Sequence, residues 1–327
     1  MDRKLFEDML RIDSTSGKEA EFACFLESAL RTPGNRVQRF ESEDALNLLF
    51  SWGTPKFYFC THMDTVPPYI PPTVEGDVVR GRGACDAKGQ IFSMFEACKE
   101  LERQGYTDFA LLLLSGEETG SFGAKAYTRD CPGGETILVG EPTEGKMVSA
   151  SKGTKSFAVR IPGKACHSGY PHLGESAVEK FITFCNLLAA TSFPVDSVLG
   201  ETTWNIGRLS SDNPQNILSP EVTFRIYFRT TFASDAFVQE FMASQQGMEV
   251  TAFGGDTPMS YFTVEGIPST TVAFGSDAPR LEKFARRALC GPGSIRFAHT
   301  PDEQISFSEI EQAVNQYITI FTKCAGF

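Results

Sequence analysis

Four short, almost wholly apolar runs, residues 57–60, 110–114, 136–139 and 270–274, constrain this chain more than any other feature. Continuous apolar runs of that length suit strands covered on both faces, because a strand with one face in water alternates instead. Helical patterns such as residues 87–103 lie between them, so the expected fold is α/β with a mixed, largely parallel sheet. Each run is followed within three residues by polar groups: Thr61-His62-Met63-Asp64, Ser115-Gly116-Glu117-Glu118, Gly140-Glu141 and Gly275-Ser276-Asp277. Open α/β sheets bind ligands outside the carboxyl ends of their strands, so these groups should meet in one crevice.

The middle of the chain changes rhythm. Strand 156–161, helix 175–190, strands 202–209 and 222–230, helix 234–245 and strand 248–253 follow in the order of a ferredoxin-like α+β sandwich. The run at 270–274 then reads as the first sheet resuming, so a small domain, 154–253, is expected as an insertion in a larger one made of 1–153 and 254–327. Near the start, Leu5, Phe6, Met9 and Leu10 form a helical stripe, and Ser16-Gly17-Lys18-Glu19 has the spacing of a capping box for a helix over 17–31.

Composition removes several classes of function. Among 327 residues, 41 are acidic and 30 basic, a net charge of −11 that would be repelled by nucleic acid or an anionic membrane surface. The longest apolar run, 109–114, is far short of the ~18 residues of a membrane span. Acids interrupt the N-terminal stripe where a signal peptide would need an apolar core, and the expected location is the cytoplasm. Nine cysteines without a C-x-x-C pair fit neither a disulfide framework nor a zinc ribbon, and read as reduced thiols, mostly buried. Nucleophile-elbow and phosphate-loop motifs are absent, and Arg80-Gly81-Arg82-Gly83 lacks the third glycine of a dinucleotide loop. Cys60 and Cys85 flank the crevice residues but have no separate His–acid partner, so burial is the stronger reading.

The chemistry concentrates in a few side chains. His62 and Asp64 follow a strand; a metal-bound imidazole needs an acceptor for its other nitrogen, although Asp64 could equally cap a turn. Asp86, in Gly83-Ala84-Cys85-Asp86-Ala87-Lys88-Gly89, stands at the mouth of a helix, where it could cap the amides or bridge two ions with its two oxygens. Glu117 and Glu118 are adjacent carboxylates after a buried strand; they repel unless a cation lies beside them, and one could ligate while the other acts as a base. Glu141 adds another carboxylate, and His299 lies in Phe297-Ala298-His299-Thr300-Pro301-Asp302-Glu303. Imidazoles and hard oxygens in excess of four ligands suit two ions, zinc first, with cobalt or manganese as alternatives.

In this order, from His62 to His299, the motifs resemble the di-zinc metallopeptidase and amidohydrolase family that includes acetylornithine deacetylase, succinyl-diaminopimelate desuccinylase, carboxypeptidase G and aminoacylase. The resemblance implies a zinc-peptidase-like catalytic domain carrying an inserted lid and dimerisation domain. It implies that Asp86 bridges two ions, that His62 and Glu141 complete one site, and that Glu118 and His299 complete the other. Asp64 would support His62, and Glu117 would be the general base. His167, in Ala165-Cys166-His167-Ser168, would reach the neighbouring subunit of a homodimer and steady the oxyanion, although it also reads as an ordinary loop residue. Asn216 and Arg229 would hold a substrate carboxylate, with Arg225 on the same strand a competing candidate; His172 has no derived role. The implied substrate is an N-acyl amino acid, as for an acetylornithine deacetylase of amino-acid biosynthesis, or alternatively a small peptide, as for a dipeptidase or aminopeptidase.

Overall fold

The computed structural model describes residues 1–43 and 45–325, and by its internal contacts the chain falls into two compact units. The first comprises Met1–Ser149, Tyr261–Thr270 and the chain from Ser276 onward; the second comprises Ala150–Ser260 with Thr271–Gly275.

A six-stranded mixed sheet organises the first unit, in the order Arg36–Glu41, Leu46–Trp52, Phe109–Leu114, Phe57–His62, Gly134–Val139, Phe284–Leu289. The last four of these run parallel, and the first two add antiparallel to the edge. Every residue of Phe57–His62 and of Phe109–Leu114 is buried, as expected of strands between two helical layers. Phe57 and Phe109 each meet Phe321 of the helix Phe307–Ala325 edge-on, at 5.5 and 5.6 Å between ring centroids, and Trp52 stacks on Phe109 at 4.7 Å. The helix Lys88–Arg103 is buried almost all round through its first three turns, so its N-terminus is held rigidly near the strand ends. Arg3–Arg11 is helical and buries Phe6, Met9 and Leu10 of the expected stripe.

Two local expectations fail, each for a physical reason. The run at 270–274 does not rejoin the main sheet: Ser269–Val272 is half-exposed and lies in a three-stranded ribbon with Met147–Ser151 and Met259–Ser260. The sheet resumes instead with Phe284–Leu289, an edge strand whose Arg286 and Arg287 stay partly in solvent and so hide the apolar pattern. The capping box does not form either. The helix there is Glu19–Ala29, the N-cap position is Lys18 with no side-chain cap, and Ser16 turns its hydroxyl elsewhere. The strands Arg36–Glu41 and Leu46–Trp52, which no expectation covers, pair antiparallel with each other.

The second unit is a four-stranded antiparallel sheet, Thr203–Ser210, Glu221–Thr230, Gly153–Pro162, Glu249–Gly254, with the helices Ala177–Ala190 and Asp235–Ala243. This is the split β-α-β order of a ferredoxin-like sandwich. Val222, Phe224, Ile226 and Phe228 point inward in strict alternation and pack with Phe184, Leu188, Val238 and Met242 of the two helices.

All nine cysteines are free; Cys60, Cys85, Cys98, Cys131 and Cys290 are buried, whereas Cys24 is exposed. Among the described residues no helix is long and apolar enough to cross a membrane.

Candidate metal centre

Three parallel strands deliver their carboxyl ends to one place in the first unit. Phe57–His62 ends on His62, Phe109–Leu114 leads into Glu117 and Glu118, and Gly134–Val139 leads into Glu141. Phe284–Leu289 leads into a longer loop that carries His299. Candidate ligand atoms fall into three overlapping groups, His62 with Glu117 and Glu118, His62 with Asp86 and Glu141, and Asp86 with Glu118 and His299, each spanning no more than 4.8 Å.

Asp86 is the centre of this arrangement. Its Oδ1 lies 3.0 Å from His62 Nε2 and its Oδ2 lies 3.3 Å from His299 Nε2, so its two oxygens face two different imidazoles. The helix-capping alternative fails, because the N-cap position of Lys88–Arg103 is Ala87 and no side chain caps it. His299 Nε2 also lies 2.9 Å from Glu118 Oε1. His62 Nδ1 is 2.9 Å from the backbone carbonyl of Asp64, which can only accept, so that nitrogen carries a proton, and Nε2, 3.0 Å from Asp86 Oδ1, is the atom that would exchange its own proton for a metal ion.

The Asp64 carboxylate lies 3.4 Å from His62 Nδ1, as its expected supporting role requires, and has a second task. It accepts from Ser16 Oγ at 2.8 Å and from the backbone N–H groups of Glu117 and Glu118 at 3.0 and 3.2 Å. Ser16, read from sequence as a cap, therefore belongs to the site. Lys88 also reaches back to the N-terminal helices: its Nζ donates to the carbonyls of Met9 and Ile12 and lies 4.4 Å over the Phe22 ring.

The electrostatics are those of too many acids in too little water. Burial would lower the His62 imidazolium, but hydrogen bonds to Asp64 and Asp86 overcome it and raise its pKa well above the ordinary range. His299 is pushed up to about 10 by its bonds to Asp86 and Glu118. Desolvation and neighbouring negative charge raise both Glu117 and Glu141 well above ordinary carboxylates. Asp277, buried at the end of Gly275-Ser276-Asp277, is raised to about 7, chiefly by desolvation. Glu141 Oε1 is buried without a hydrogen-bond partner, an expensive state for a carboxylate unless a cation completes it. The donor set of imidazole nitrogens and carboxylate oxygens, with an unpaired oxygen facing inward, fits divalent metal ions.

The remaining predicted residues lie in the second unit. His167 is exposed, and its Nδ1 accepts from the N–H of Gly169 at 3.0 Å. Asn216 is close to it through the backbone, Ser168 N–H donating to Asn216 O at 2.9 Å. Arg229 is half-buried with its guanidinium 5.0 Å from the Tyr227 ring centroid, and Arg225 stacks over Phe253 at 4.7 Å. Tyr170 stands between His167 and His172. A cavity of about 340 Å³ lined by Lys56, Tyr106, Glu135 and Arg286 opens at the amino ends of the strands, away from the metal centre.

A family model described as peptidase family M20/M25/M40 matches residues 58–323. The chain belongs to this family. A peptidase M20 domain-containing protein of Schizosaccharomyces pombe is 33% identical over 328 residues, covering 96% of this chain and 82% of the relative. A protein of Emericella nidulans named as a probable carboxypeptidase is 32% identical, covering 97% and 88%. Among solved structures, the aminopeptidase PepT of Bacillus cereus superposes with a TM-score of 0.77 at 22% identity, covering 99% and 98% of the two chains. Human carnosine dipeptidase 1 superposes with a TM-score of 0.72 at 14% identity, covering 99% and 96%. These structures share the fold. As a member of the M20 family, with a mostly parallel α/β sheet and this donor set, the protein is a metal-dependent hydrolase.

Proposed function

We propose that the chain is a two-metal hydrolase that cleaves the amide bond of an N-acyl amino acid, in the manner of an acetylornithine deacetylase. The observation that carries the two-ion reading is Asp86, whose oxygens face His62 on one side and His299 on the other at 3.0 and 3.3 Å. His62 and Glu141 would hold one ion, Glu118 and His299 the other, and Asp86 both. When bound, such ions supply Lewis-acid activation of water and of the scissile carbonyl.

Glu117 is the proton carrier. Its carboxylate sits beside the ligand set but is not needed to complete either position, which leaves it available to take a proton from the attacking water and give it to the departing nitrogen. Asp64 fixes the turn that presents it. By the same resemblance, His167 steadies the oxyanion, and Asn216 and Arg229 hold the carboxylate of the departing amino acid. A homodimer through the second unit is part of this reading. Exposed Trp204 and Leu209 on the sheet-edge strand, with Ile182 and Leu187 on the helix Ala177–Ala190, support it.

A second reading keeps the site and lengthens the substrate to a small peptide. It is favoured by the carboxypeptidase name of the Emericella relative, and chemically it is close, since a carboxypeptidase also releases an amino acid with a free carboxylate. Metal analysis paired with amine release from N-acetylornithine, N-acetyl-lysine, N-succinyl-diaminopimelate, free dipeptides and N-blocked dipeptides separates the two. Two ions per chain with release from an N-acetyl or N-succinyl amino acid supports the first reading. Release from peptides alone replaces it with the second, and no metal after reconstitution removes both.

A further inference from the structure

Arg82 and Glu303 form an ion pair sealed from solvent, with side chains 2% and 0% exposed and Nη1 2.6 Å from Oε2. Buried pairs are poor sources of stability, because desolvation offsets most of their attraction and an apolar pair of similar volume often serves as well. The position of this pair gives it another use. Glu303 Oε1 accepts the backbone N–H groups of Cys85 at 3.2 Å and of Asp86 at 3.1 Å. Arg82 donates from Nε to Pro68 O at 3.2 Å and from Nη1 to Thr300 O at 3.4 Å, while Gly81 N–H donates to Glu303 O at 2.9 Å. One residue from the Asp86 loop and one from the His299 loop thus bolt the two loops together.

The two halves of the centre differ in how much they need that bolt. His62 ends a buried strand and is fixed by the Asp64 carbonyl, and Glu141 follows directly from a strand. His299 lies ten residues beyond its strand, its side chain is 49% exposed, and its φ is +63°, a left-handed conformation that a non-glycine residue keeps only when its surroundings impose it. Beyond its own bonds to Asp86 and Glu118, the buried pair acts on both sides of it, Arg82 holding the adjacent carbonyl of Thr300 and Glu303 the backbone of Asp86.

We infer that Arg82 and Glu303 are positioning residues that set the spacing of Asp86 and His299, and through it the affinity of the position formed by Asp86, Glu118 and His299. The position formed by His62, Asp86 and Glu141 depends on them much less. This rests on the two-ion reading above.

The test is Co²⁺ titration of metal-free wild type, Glu303→Gln, Glu303→Ala, Arg82→Lys and His299→Ala, followed by calorimetry and visible absorption, with thermal unfolding of each metal-free protein alongside. His299→Ala marks which binding step belongs to its position. The Glu303 and Arg82 variants should weaken that same step on the order of 10- to 100-fold and leave the other little changed. Glu303→Gln, which keeps an acceptor for the Cys85 and Asp86 amides, should fall between wild type and Glu303→Ala, and it is the informative variant if Glu303→Ala fails to fold. Fewer than two ions on wild type overturns the two-ion reading and this inference with it. Two ions on wild type, with the marked step unchanged in Glu303→Gln and Arg82→Lys, overturns the inference alone. Equal weakening of both steps with a lowered melting temperature overturns it too, by showing a general structural role.

Discussion

The carboxylate of Asp64 accepts the backbone N–H of Glu117 at 3.0 Å, so the loop that orients His62 and the turn that carries the proposed base are locked by one side chain. Asp64→Ala removes the acceptor for Ser16, Glu117 and Glu118 together. Metal affinity and turnover should each fall on the order of 10- to 100-fold, as is typical when a group that orients metal ligands is lost. Equilibrium metal binding and kcat/KM check this; wild-type values for both would detach Asp64 from the site.

Glu117→Ala should separate binding from chemistry. Turnover is expected to fall by about 10²- to 10⁴-fold, the usual contribution of a general base. Metal content should stay at the wild-type value, because each of the two proposed positions is completed by other residues. Asp86→Ala, in contrast, should lose metal and activity together, since its oxygens face both imidazoles. Elemental analysis of the two variants beside their kcat distinguishes a proton carrier from a ligand.

The metal-free protein should lose stability as pH rises toward neutral. His299 is raised to about 10 by Asp86 and Glu118, and burial raises Asp277 and Glu303 to about 7. Each group binds its proton more tightly folded than unfolded, so the folded chain carries more protons and stability falls with pH. The His299 contribution is whole below its unfolded value of about 6.5 and lost as pH climbs through about 10. The two carboxyls lose theirs between about 4 and about 7. Asp86, whose bonds to His299 and His62 outweigh its burial and lower its pKa, acts oppositely, but only in acid. Lys88, which burial lowers to about 7, gains stability as pH rises above that value and opposes His299. Melting temperatures in chelator should therefore decline from about pH 4 to about pH 7, where Asp277 and Glu303 titrate, and added zinc should flatten the slope by neutralising the same acids. A rising curve in chelator over that range would contradict the charge arrangement.

Arg229→Ala should raise KM for substrates bearing a free carboxylate on the order of 10- to 100-fold with a smaller effect on kcat, the loss of one charge-assisted hydrogen bond pair. Arg225→Ala, which removes a guanidinium stacked on Phe253, should leave KM near wild type. The reverse pattern would exchange their roles.

Lys88→Met should be a stability variant. It removes the Lys88 donor from the Met9 and Ile12 carbonyls, of which Met9 keeps the long Ile12 N–H bond, and a loss of about 1–3 kcal/mol is expected. Denaturant unfolding of the metal-free protein measures it.

The sequence by itself determined the elements whose burial is extreme or regular. Phe57–His62 and Phe109–Leu114 are apolar because both faces are covered, and Glu221–Thr230 alternates because one face is. His62, Glu117, Glu118 and Glu141 were legible as candidates because they stand where such strands end, and a strand's end is a local property. Whatever depends on a partner distant in the chain was decided by the tertiary structure. Phe284–Leu289 was hidden because an edge strand keeps its arginines in solvent, whereas the threonine-rich run at 270–274 imitated a buried strand. Ser16 carries the spacing of a cap, yet its hydroxyl serves Asp64, 48 residues away. Glu303 looked like one more acid in a polar loop until the fold brought its carboxylate against the Asp86 amide, 217 residues earlier. Hydrogen bonds of that reach leave no periodicity in a sequence, because the residues between them are free to vary in pattern so long as the chain returns to the same point.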